Sequence, residues 1–187
     1  MVSPTDLHME NKANQDLTQL AAEVKADPCA FGRLYDLLVQ PVYRYLYRRT
    51  GSTSDAEDLT SQTFVTAFES LQRYHHRDGV HFAAWVFTIA RHKLADHYRR
   101  SKRWPPLELN IEPAINPNTL GRLVQDEELG RLQDLIRELD EKERDLIYLR
   151  YVAELTYADM AEVLGRKEDA VKKSVYRLLA RLKSRME

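Results

Sequence analysis

The chain has 187 residues, 28 Lys and Arg against 29 Asp and Glu, and a formal net charge of -1. That length suits one or two small domains, and an apolar content of 43% is enough to build a core. The single cysteine, Cys29, excludes a disulfide framework and a cysteine-based zinc site and suits a reducing compartment; the amino terminus lacks a signal pattern and no apolar run is long enough for a bilayer, so a cytoplasmic protein without membrane insertion is expected.

Alternating Val/Ile/Thr runs with Asn-Gly turns are absent, and apolar residues recur at helical spacing, so the expected fold class is all-α. Residues 1–15 are polar and read as a disordered tail. A first helix is expected from Asp16 to Lys25. A second runs from Phe31 to Arg49 with apolar residues at Phe31, Leu34, Tyr35, Leu38, Val42, Tyr45 and Leu46. Pro41 is a kink position inside it, and Gly51 ends it. Ser54 with Glu57 has capping-box spacing and opens a helix along Leu59, Phe64, Val65, Phe68 and Leu71. Asp55, Glu57 and Asp58 in its first turn suit the positive end of the helix dipole.

The loop YHHRDGVH follows, then a helix from about His81 to Lys102 with Phe82, Trp85, Val86, Ile89, Ala90 and Leu94 on one face. Trp104-Pro105-Pro106 stops it. Residues 104–118 hold four prolines and read as a flexible linker. Helical spacing resumes at Leu120, Leu123, Leu129, Leu132, Leu135, Ile136 and Leu139. Asp140 with Glu143 caps a helix from Leu146 to Val152, Thr156 with Asp159 caps a short one to Leu164, and the last runs from Glu168 to Met186. Two small helical domains are expected, residues 16–103 and 119–187.

Near-neutrality conceals segregation. Residues 71–103 carry a net +6 and residues 166–187 a net +5, whereas residues 104–165 carry -8 and residues 55–70 hold four acids and no base. Two basic islands on acidic ground imply two separate electrostatic footprints.

The second island coincides with a helix-turn-helix pattern. With Tyr157 as the first position, Ala161 falls where the two helices cross and only a small side chain fits. Gly165 falls in the turn, where positive φ is needed, and Val171, Val175 and Leu178 face inward. The outward face presents Lys172, Lys173, Tyr176 and Arg177, with Arg166 and Lys167 before it. Arg and Lys there can meet guanine edges or phosphates. The first island, HFAAWVFTIARHKLADHYRRSKRW, has a basic face of Arg91, Lys93, Arg99, Arg100, Lys102 and Arg103 beside an aromatic-rich loop, a combination that can track phosphates and hold unstacked bases.

The order LYDLLVQPVYRYLYRRTG, DAEDLTSQTFVTAFESLQRY, FAAWVFTIARHKLADHYRR, LDEKERDLIYLRYVAELTYADMAEVLG and AVKKSVYRLLARL resembles the extracytoplasmic-function sigma factors of bacterial RNA polymerase, from about Pro28 to Met186. The resemblance implies that the first domain binds the clamp helices of the polymerase through Asp55, Glu57, Asp58 and Gln62. It implies that the loop from Tyr74 to Val80, including His75, His76 and Arg77, with His92, Lys93, Asp96, Arg99 and Arg100, handles the single-stranded −10 element. It implies that Arg166, Lys167, Lys172, Lys173, Tyr176 and Arg177 meet the −35 duplex while the second domain rests on the polymerase flap. The linker, with Glu108 and Glu112, passes near the active-site cleft, and an anti-sigma factor is an expected partner. Two positions depart from the pattern: His92 stands where many relatives have Asn, and Thr63 where many have an acid.

Two other classes fit the sequence less well. A stand-alone helix-turn-helix regulator would bind a palindrome as a dimer, but the amino-terminal island carries no pocket signature. For an enzyme, five histidines lie between His75 and His97, and His92 shares a helical face with Asp96. Yet there is no HExxH, no phosphate-cradling glycine loop and no nucleophile elbow. Neither catalysis nor a cofactor or metal is expected.

Overall fold

Among the described residues eight helices follow the expected spacing in a computed structural model that describes residues 19–24, 27–74, 81–101 and 122–186, with the side chains of 101 and 122–129 excepted. Residues 19–24 are helical (α1), followed by a 3-10 turn at Pro28–Ala30. Then come α2 (Phe31–Thr50), α3 (Thr53–Ser70), a 3-10 turn at Leu71–Arg73 and α4 (Phe82–Ser101). The second half holds α5 (Arg122–Arg137), α6 (Glu141–Tyr151), α7 (Tyr157–Leu164) and α8 (Glu168–Met186). Among the described residues there is no strand. The tail 1–15 and the linker 104–118 lie outside the described residues.

The helix ends are written in the sequence. Gly51 sits at φ 67 and its N–H bonds the Tyr47 carbonyl, closing α2. Gly165 at φ 62 closes α7, with the Arg166 N–H reaching back to Ala161 O at 2.9 Å. Both conformations are left-handed, where glycine alone is free of a Cβ penalty. The expected capping boxes at Asp140/Glu143 and Thr156/Asp159 both form. The cap of α3 differs. Ser52, not Ser54, accepts the Asp55 N–H, so the helix starts earlier and Ser54 and Glu57 lie within its first turns. Pro41 lies inside α2, which continues through it. The carbonyl deprived of its donor belongs to Leu37, a residue 56% exposed, where water can take the donor's place.

Leu34, Leu38, Val42, Tyr45 and Leu46 of α2 pack with Ala56, Leu59 and Phe64 of α3 and with Phe82, Val86, Phe87, Ala90 and Leu94 of α4. Tyr45 and Phe87 meet edge to face at 5.6 Å. In the second half, Leu149, Leu155, Met160, Val171, Val175 and Leu178 are buried among α6, α7 and α8. Burial is continuous between the halves, because α7 lies against α4 and α6 touches α2.

Candidate nucleic-acid interface

Burial of Val171, Val175, Leu178 and Leu182 on one side of α8 forces the intervening residues outward. Lys172, Lys173, Tyr176 and Arg177 are all exposed, on one face. Arg166 and Lys167 are exposed in the turn before it, and Arg166 Nη2 donates to Ser174 Oγ at 2.9 Å. Tyr176 is held from behind by a sequence of contacts. Its ring lies 6.3 Å from that of Tyr157 at the start of α7, and the guanidinium of Arg150 lies over Tyr157 at 5.2 Å. Arg150 also donates to Leu155 O at 2.8 Å. Burial first, and then neighbouring Tyr176, raises the Tyr157 phenol above its ordinary pKa. Further along α8, Arg181 and Arg185 are spent on Glu143 and Glu138 at 2.7 and 2.6 Å, so they brace the fold instead of extending the cationic face.

On α4, His92, Arg99 and Arg100 are exposed, while Lys93 and Asp96 are half-buried and Asp96 pairs with Arg99. His75, His76 and Arg77 lie outside the described residues. Tyr74 is a correction to the sequence reading. It is 8% exposed and packs against Phe82 and Trp85, with ring separations of 5.0 and 5.1 Å. An aromatic committed to that cluster is not presented to a nucleobase.

On α3, Glu57, Asp58 and Gln62 are exposed and Asp55 is half-buried, 3.8 Å from His97 Nε2. Thr63 is fully buried and its hydroxyl donates to Leu59 O at 2.7 Å, so it faces the core. Val65 and Phe68, expected on the apolar face, are 57% and 49% exposed. Phe68 meets Phe31 edge to face at 5.0 Å. These two add an apolar centre to the acidic surface, a feature that periodicity misses because they stand one step off the buried stripe.

A further cluster joins residues that are far apart in the sequence. Asp145 of α6, 4% exposed, accepts from Tyr45 Oη at 3.2 Å, from Arg49 Nη1 and from Arg91 Nε at 3.3 Å. Arg49 Nη2 also donates to Glu141 at 2.9 Å, and Tyr98 Oη donates to the Arg49 carbonyl. Burial works against the Arg49 charge, but the surrounding negative groups more than offset it and hold its pKa above the ordinary range. Burial first, then the Asp145 charge, raises that of Tyr45. Nearby, the fully buried Asp159 accepts the His81 N–H at 2.8 Å and faces His81 Nδ1 at 2.9 Å. The +6 and -8 segments contain Arg91, Asp145 and Glu141, but Tyr45 and Arg49 lie in neither, and charge counts do not say which residues meet.

The whole arrangement matches known proteins. Residues 34–104 match the family described as Sigma-70 region 2, and residues 129–182 match Sigma-70, region 4. The chain is similar to the ECF RNA polymerase sigma factor BldN of Streptomyces coelicolor, with 36% identity over 172 residues, covering 89% of this chain and 63% of that protein. It thus spans under two thirds of BldN's length. It is also similar to the RNA polymerase sigma factor YlaC of Bacillus subtilis, with 30% identity over 160 residues, covering 82% of this chain and 90% of that one. Its fold resembles that of the sigma factor RpoE co-crystallised with the anti-sigma factor NepR from Bartonella quintana, at a TM-score of 0.60 and 24% identity, covering 83% of this chain and 96% of that one. The likeness takes in both halves, with the helix-turn-helix in the second, and by it this chain belongs to the extracytoplasmic-function sigma factors of RNA polymerase.

Proposed function

We propose that the chain joins core RNA polymerase in the cytoplasm, opens the −10 promoter element and reads the −35 element, as a binding protein and not a catalyst. The observation that carries this reading is the exposed face of Lys172, Lys173, Tyr176 and Arg177 on a helix anchored behind a left-handed Gly165 turn. A helix so presented fits the major groove, where Arg and Lys pair with base edges and phosphates. His92, Lys93, Arg99 and Arg100 on α4 supply the surface for the parted strand, with Tyr74 serving as a packing residue. Glu57, Asp58 and Gln62 with Val65 and Phe68 form an apolar centre with an acidic rim, suited to the clamp helices of the polymerase. The polymerase flap is the partner of the second half.

An anti-sigma factor completes the scheme. The RpoE fold that this chain resembles was captured with one. The α3 surface, apolar and exposed, is the natural place for such an inhibitor to exclude polymerase. The decisive experiment is transcription from a promoter library with core polymerase. Initiation that depends on this chain, with a footprint over two elements, is the expected result. No stimulation over core polymerase alone would refute it.

A further inference from the structure

The cationic face of α4 is partly covered by the chain itself. Arg91, His92 and Arg99 line a groove of about 340 Å³ together with Arg49 of α2, and its opposite wall carries Glu141 and Asp145 of α6. Two carboxylates therefore stand where a polyanion would lie against α4. Asp145 takes three donors from the first half, and Glu141 shares the Arg49 guanidinium. Asp159 adds a second fastening, accepting both the His81 N–H at the start of α4 and contact with its ring.

We propose that Asp145 and Glu141 act as an internal stand-in for promoter phosphates, holding the chain closed, and that Arg49 and Arg91 bind the phosphodiester backbone of the parted strand once α6 leaves. This rests on the functional reading above for the identity of the strand, but the closure itself is a property of the chain alone. The device is selective. The α8 cations stay exposed while Arg49 is 6% exposed and the half-exposed Arg91 is engaged by Asp145, so duplex DNA can reach α8 when single-stranded DNA cannot reach Arg49 and meets Arg91 only in competition with Asp145. Arg49 is 6% exposed and would lose its buried counter-ion on opening, so an incoming anion must replace Asp145. Phosphates offer Arg the same bidentate geometry as carboxylates. Opening is thereby coupled to occupancy of the groove. The 20 residues from 102 to 121 that connect α4 to α5 have a contour of at most roughly 70 Å, long enough to let α6 move away without disturbing either set of helices.

The test uses the full chain with Cys29→Ser and fluorophores at Glu69→Cys on α3 and Ser184→Cys on α8, both exposed positions. Asp145→Asn is expected to lower energy transfer between the labels without polymerase present. It is also expected to tighten binding of a fluorescein-labelled single-stranded 12-mer about tenfold, as the binding-competent fraction rises. Adding Arg91→Ala should abolish that gain. Asp134→Asn, at an exposed acid of α5, sets the baseline for removing one negative charge. Unchanged transfer, or 12-mer affinity no better than that baseline, overturns the proposal. Should Asp145→Asn lose its helical circular dichroism, Glu141→Gln at the half-exposed rim decides. Reduced transfer supports closure and wild-type transfer refutes it. Transcription by the wild-type chain reports on the functional reading separately, since the transfer assay contains no polymerase.

Discussion

Replacing Gly165 isolates the cost of one backbone conformation. The residue sits at φ 62 and ψ 38, and a Cβ built there meets nothing within 4 Å, so Ala introduces no clash. The left-handed conformation costs an L-residue about 1–2 kcal/mol. Ala also restricts the unfolded chain, which returns about 0.4–1 kcal/mol. The expected net loss for Gly165→Ala is therefore about 1 kcal/mol. Asn, which tolerates this region, should lose less, and β-branched Val more. With a urea slope near 2 kcal/mol/M, the Ala midpoint falls by about 0.5 M. Circular dichroism in a urea series measures this. Because the turn sets α8 against α7 through the Arg166-to-Ala161 hydrogen bond, affinity for −35 duplex should fall in the same order. An Ala variant as stable as the parent, or an Asn variant worse than Val, would refute the argument from φ.

Charge reversal of Lys172 or Arg177 should weaken promoter −35 binding by ~1–3 kcal/mol where the side chain pairs with a base and reduce the salt dependence, measured by duplex anisotropy across a salt series. Val65→Asp should leave the unfolding free energy within about 0.5 kcal/mol of wild type, because Val65 is exposed, and Phe68→Asp should lose about 0.5–1.5 kcal/mol with the Phe31 ring contact, yet each should weaken polymerase binding by about 2 kcal/mol in a pull-down titration. Alkaline pH should destabilise the fold. Burial raises the phenols of Tyr45, Tyr98 and Tyr148 above the ordinary value of 10.0, so the folded chain keeps protons that the unfolded chain releases. Their stabilisation is complete below about pH 10 and declines as pH rises beyond it. The urea midpoint at about pH 11 should lie below that at pH 8, and Tyr45→Phe should shrink the difference.

Local chemistry made much of this protein legible in advance. Gly51, Gly165, Asp140 with Glu143 and Thr156 with Asp159 mark helix ends because each satisfies backbone groups within a few residues of itself. Period-3.6 spacing put Val171, Val175 and Leu178 inside and so put Lys172, Lys173, Tyr176 and Arg177 outside. The same reasoning stumbled at Ser52, where two serines two residues apart compete for one cap, and at Val65 and Phe68, where an apolar side chain stands beside the buried stripe without belonging to it.

The contacts that join the halves belong to another class. Tyr45 and Asp145 are 100 residues apart, and His81 and Asp159 are 78 apart. Their separate positions look ordinary: a tyrosine on a helix, an acid on a helix, a histidine in a loop. Composition shows a positive and a negative segment that could attract, but Coulomb attraction between segments has no register, so it names no pair. Only packing of α7 on α4 and of α6 on α2 brings these atoms together, and only burial then makes Asp145 necessary to Arg49. Tyr74 makes the same point from the other side. Its place in a basic, aromatic stretch suggests a surface for bases, while the cluster with Phe82 and Trp85 assigns it to the core, because three aromatic rings lose less water-exposed area apart than they bury together.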